Sequence, residues 1–140
     1  MDTSHARPLR RDEVEIRMLA SRERAPGLRF LAADLAMRQD YDLDAIDDLR
    51  LVVDEICAIL LADATPDATM TIRLLIDTER VEIGASVELP GADEPEVKPL
   101  SVRILQTLAD AFDCATAGSG ADRVLTVNFV KAADHRAASA

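Results

Sequence analysis

The stretch Asp44–Ala64 leaves the chain the least freedom. Within it Ile46, Leu49, Val52, Val53, Ile56, Cys57, Leu60 and Leu61 recur at steps of three and four, which puts them on one stripe of an α-helix. Asp44 reads as the N-cap, with Asp47 in the capping-box position three residues on. Asp47 and Asp48 suit the positive end of the helix dipole. Thr65-Pro66-Asp67 ends the helix, because proline cannot continue it. A helix with one apolar stripe must bury that stripe against another element.

The flanking patterns supply that element. Val14, Ile16 and Met18 alternate with Glu13, Glu15 and Arg17, so residues 12–19 read as a half-buried strand. Ser21–Gln39 reads as a helix with Leu28, Leu31, Ala32 and Leu35 on its stripe. Pro26-Gly27 predicts a late start, since proline is tolerated only in a first turn. Residues 68–88 read as a hairpin: Met70, Ile72, Leu74 and Ile76 face inward, Asp77–Arg80 turn, and Val81, Ile83, Ala85 and Val87 return. Pro90–Pro99, with three prolines, is a loop. Leu100–Phe112 is expected to be a third helix, with Val102, Leu105, Leu108, Ala109 and Phe112 on its stripe. A turn at Ala117–Asp122 follows, with a possible short strand near Cys114, then a strand from Val124 to Val130. Clean alternation means one sheet face packed and one wet, hence an α/β two-layer sandwich with its helices on one face. We expect a single domain over 12–131, with residues 1–11 and 132–140 as tails.

Composition narrows the function. The chain of 140 residues can build one hydrophobic core. Its net charge is −10 and no basic stripe is visible, so nothing is suited to neutralising phosphates. One tyrosine, three phenylalanines and no tryptophan leave little to stack on bases. No nucleic-acid partner is expected; an acidic protein of this kind favours a basic protein partner. No apolar run reaches the roughly 18 residues of a membrane span, and Met1–Pro8 has no apolar signal core, so a cytoplasmic protein is expected. Cys57 and Cys114 are not a disulfide framework; Cys57 reads as a small buried hydrophobe. A redox pair would need their Cα atoms within about 7 Å. The only histidines, His5 and His135, lie in the polar ends, which leaves no basis for a zinc or histidine-based site.

The string Asp48-Leu-Arg-Leu-Val-Val-Asp-Glu-Ile-Cys-Ala-Ile-Leu-Leu61, between a first helix and a hairpin, resembles the RsbW-type anti-sigma factors of bacteria. Those belong to the ATPase superfamily of histidine kinases and DNA gyrase. The likeness extends over roughly residues 12–131, and Val53-Asp54-Glu55-Ile56-Cys57 is similar to actinobacterial versions. The resemblance implies a mixed, mostly antiparallel sheet of about five strands under three helices. It also implies sequestration of an alternative sigma factor and, in many members, serine-kinase activity toward an anti-anti-sigma (STAS-domain) partner. Homodimers are common in the family.

The kinase chemistry needs four parts, and most are changed here. Glu55 matches the catalytic glutamate, but the Mg²⁺-holding asparagine four residues on is Ile59, which has no oxygen to offer. The adenine-reading aspartate of D-x-G-x-G falls on Val87 and its first glycine on Leu89; only Gly91 fits, as a weak cofactor-binding candidate. The lid shrinks to Ala92–Lys98, where Asp93, Glu94 and Glu96 would repel a triphosphate. The phosphate-cradling G-x-G falls on Pro99 and Ser101, and proline has no N–H. The expected function is therefore an anti-sigma factor without a working ATP site and without a required cofactor, in which Glu55 is a charged residue at the edge of the stripe, paired with a nearby arginine. Two alternatives remain: an active kinase using ATP and Mg²⁺ with Glu55 as its catalytic residue, and a non-catalytic scaffold binding only an anti-anti-sigma-like domain. The resemblance places partner contacts on the first helix and its approach, which makes Arg24, Arg29, Asp34 and Arg38 candidates.

Overall fold

Residues 11–91 and 93–133 are described by the computed structural model. Five strands and three helices follow in the order β1 (Asp12–Leu19), α1 (Ala25–Arg38), α2 (Leu43–Leu61), β2 (Thr69–Ile76), β3 (Arg80–Glu88), α3 (Pro99–Leu108), β4 (Ala111–Ala117) and β5 (Val124–Ala132). The strands form one sheet in the order β1-β2-β3-β5-β4.

Alternation decides the layering. Met70, Ile72, Leu74 and Ile76 of β2, Val81, Ile83, Ala85 and Val87 of β3, and Leu125, Val127 and Phe129 of β5 are buried, whereas the residues between them in each strand are half-buried or exposed. The registers Ile72↔Ala85 and Ala85↔Val127 carry the buried rows across the sheet. The stripe of α2 closes over them, with Ile46, Leu49, Val52, Val53, Ile56, Cys57, Ile59 and Leu60 all buried. The two-layer α/β sandwich is as expected. The β2–β3 turn is also as read: Asp77 Oδ1 accepts the N–H groups of Glu79 (2.8 Å) and Arg80 (2.9 Å). The late start of α1 holds too, with Pro26 in its first turn.

Four expectations are corrected. The sheet is not mixed: all four strand pairs are antiparallel. The N-cap of α2 is Asp42, not Asp44; Asp42 is extended and its Oδ1 accepts the Ala45 N–H at 2.8 Å, while Asp44 lies in the first turn. The third helix stops at Leu108 rather than Phe112. Ala109 leaves helical geometry, and the Asp110 N–H donates to the Val130 carbonyl at 2.8 Å, which turns the chain into β4. Phe112 is thus a strand residue opposite Phe129. Finally, β5 runs on to Ala132, which was placed in the tail. Residues 1–10 and 134–140, otherwise read as tails, lie outside the described residues.

Candidate functional site

The nucleotide-binding positions implied by sequence converge where α2, the end of β3 and the start of α3 meet. Glu55 and Ile59 are one helical turn apart on α2. Ile59 is only 2% exposed and belongs to the core. Val87, at the end of β3, is 1% exposed, and Leu89 beyond it is buried. Glu55 is half-buried and, contrary to expectation, pairs with no arginine among the described residues. Its Oε1 instead accepts the hydroxyl of the buried Ser101 at 2.7 Å. Ser101 sits in the first turn of α3, just after Pro99.

The loop from β3 to α3 is tied down over this corner. The Leu89 N–H donates to the Arg123 carbonyl at 3.0 Å. The Arg123 side chain returns the favour from the other direction: its Nη1 donates to the carbonyls of Gly91 (2.9 Å) and Asp93 (3.1 Å), and its Nη2 lies 3.9 Å from Glu94. Gly91 has φ +66°, a left-handed conformation that favours glycine. Further along, the Glu96 N–H donates to Asp63 Oδ2 at 2.8 Å, which fastens the loop to the end of α2. Chemically, Ile59 and Val87 present no oxygen to a metal or an adenine, and the carboxylate of Glu55 is engaged by a hydroxyl. These side chains do not fit Mg-ATP in the manner the family motif requires. Among the described residues no group of three or more histidine, cysteine, aspartate or glutamate side chains is arranged to hold a metal ion.

The partner-contact candidates are not one cluster. Arg24 is exposed at the N-cap of α1, which has no side-chain cap. Arg29 faces α2, where its Nη1 donates to Asp54 Oδ2 at 2.9 Å. Asp34 and Arg38 pair with each other at 2.8 Å nearer the far end of α1, and that contact raises the Arg38 pKa. The same helix carries a residue not singled out from sequence. Phe30 is 68% exposed and shares a groove with Leu51, flanked by Arg29, Asp47, Arg50 and Asp54. The signal for it was present, since Phe30 falls off the Leu28/Leu31/Ala32/Leu35 stripe. Arg123 and Ser101 gave no such signal, because their partners lie 32 and 46 residues away.

Cys57 and Cys114 are both free thiols. Burial, and then Asp54, pushes the Cys57 thiol from 9.0 up to about 12. Burial and Asp113 also raise Cys114.

The fold and this corner define an antiparallel two-layer α/β domain whose long central helix keeps a glutamate but buries an isoleucine one turn later. No family model matches the chain. Over 99 residues, 69% of the chain, it is 36% identical to the anti-sigma-F factor RsbW of Mycobacterium tuberculosis, in each of two strains. The chain spans 58% of the length of those relatives. The matched stretch is similar to these RsbW factors. No helix among the described residues is long and apolar enough to cross a membrane.

Proposed function

We propose that the protein is an anti-sigma factor that captures an alternative sigma factor by protein contact and needs no nucleotide to do so. The observation that carries this reading is the burial of Ile59 and Val87, where Mg²⁺ and adenine would need oxygen ligands. Similarity to two relatives named as anti-sigma-F factors supports the class of target. The net charge of −10 supports a partner with basic surfaces, such as a DNA-binding protein would present. The exposed side of α1, with Phe30 among charged neighbours, has the composition of an interface anchor.

The test is capture of purified sigma factors on immobilised protein, with and without Mg-ATP. Equal capture in both arms is expected; capture that vanishes when ATP is removed overturns the nucleotide-independent reading. Calorimetry with Mg-ATP at millimolar concentration should show no saturable heat. Phosphate transfer to a STAS-domain partner, abolished by Glu55→Gln, would establish the kinase reading instead.

A further inference from the structure

Acidic residues outnumber basic ones by 26 to 16 in this chain, so most cations should find an acid nearby. Arg11, Arg38, Arg50, Arg73, Arg80 and Arg123 all do. Arg17, Arg22, Arg24, Lys98, Arg103 and Lys131 do not: among the described residues none of these side chains makes an ion pair or hydrogen bond. Two of them, Arg22 and Lys98, lie far apart in sequence, and the fold brings both to one cavity of about 300 Å³ between the start of α1, α2 and the N-cap of α3.

The third cation lining this cavity is Arg29. Its guanidinium is held at one nitrogen by Asp54 and stays 37% exposed, so it is oriented without being covered. The walls between the charges are short or apolar: Ala25, Pro26, Ala58 and Leu61. Small side chains leave room for a group to enter, and apolar ones offer it no competing anion. Asp54 is the sole acid in the lining, which gives three cations against one acid in a protein whose overall sign is negative. The α1 start above the cavity has no side-chain cap on its N–H groups, which adds a weak field of the same sign.

We infer that this cavity is an oxyanion site that takes a phosphate or carboxylate group between Arg22, Arg29 and Lys98. It lies on the α1-facing side of α2 and adjoins the corner of Glu55, Ile59 and Ser101 only through Lys98, the N-cap of α3. The inference does not depend on the sigma-factor reading. The guanidinium groups of Arg22 and Arg29 can each present two parallel N–H donors to such an anion, and Lys98 contributes a point charge. Arg29 is the pivot, because a bound anion and Asp54 compete for it.

The experiment is a titration of the ¹⁵N-labelled chain with inorganic phosphate and, separately, acetate, against chloride at matched ionic strength. Saturable shifts confined to residues 22–29, 54–61 and 98 are expected with at least one of the two anions. Preference for phosphate assigns a phosphoryl group as the natural ligand; preference for acetate assigns a carboxylate side chain. The double variant Arg22→Gln/Lys98→Gln, both surface positions, should bind about tenfold more weakly or worse, given the strength of charge-assisted hydrogen bonds. Asp54→Asn should bind more tightly, because it removes the internal competitor. The absence of saturable shifts with either anion, unchanged affinity in the double variant, or weaker binding in Asp54→Asn overturns the inference.

Discussion

Ile59 holds the position that matters most for the absence of nucleotide chemistry in the proposed function. Its side chain is in the core, so the residue a kinase would need there cannot simply be put back. Ile59→Asn should cost about 2–4 kcal/mol, from lost apolar burial and an amide without a partner. Urea unfolding monitored by circular dichroism measures this. The variant should also show no ATP turnover, since Val87 and Pro99 are unchanged; turnover by this single variant would mean the motif positions are misassigned. Cys57 makes a second prediction at this scale. Its folded pKa of about 12 lies above the ordinary 9.0, so the buried neutral thiol favours the fold fully below pH 9. Above that pH the unfolded chain ionises first, and the contribution is lost as pH rises toward 12. The urea midpoint should therefore fall between pH 9 and 11, and fall less steeply in Cys57→Ala.

At the scale of elements, caps and turns separate otherwise similar residues. Asp42 and Asp44 are both exposed aspartates at the start of α2, but only Asp42 accepts a backbone N–H there. Asp42→Ala should destabilise by about 1 kcal/mol and Asp44→Ala by much less, in the same unfolding assay. Gly118 and Gly91 likewise both have positive φ, +79° and +66°. A Cβ on Gly118 would come within 2.4 Å of the Asp122 carbonyl oxygen, whereas one on Gly91 would meet open space. Gly118→Ala should therefore lower stability clearly more than Gly91→Ala, whose cost is the roughly 1–2 kcal/mol of left-handed backbone alone. Arg123 belongs here as well, because it fastens an element rather than filling a core. Arg123→Met should leave the sheet intact and speed amide exchange at Gly91 and Asp93, whose carbonyls now accept its side-chain bonds.

For the whole molecule, one charge has two opposite consequences. At −10, self-repulsion opposes folding, so added salt should raise the urea midpoint. If the proposed sigma-factor partner is basic, the same salt should slow its capture by about tenfold between low and physiological ionic strength, in stopped-flow mixing. Most of the fold was legible because each element carries its own period: Met70–Ile76 can only be a strand with one wet face, and Ile46–Leu61 only a helix with one stripe. The end of α3 was not, because Phe112 satisfies both the helical spacing from Leu105 and Leu108 and the strand spacing to Cys114. Pairing with β5 through Asp110 settles it. The candidate site divides in the same way. That Ile59, Val87 and Pro99 lack the atoms for nucleotide chemistry follows from their side chains alone, and the sequence by itself determined it. That Glu55 meets Ser101, that Arg123 holds the Gly91 loop, and that Arg22, Arg29 and Lys98 share one cavity were decided only by tertiary structure. Periodicity records how each segment is buried, but a hydrogen bond or a gathering of charge joins residues tens of positions apart, and only packing sets their approach.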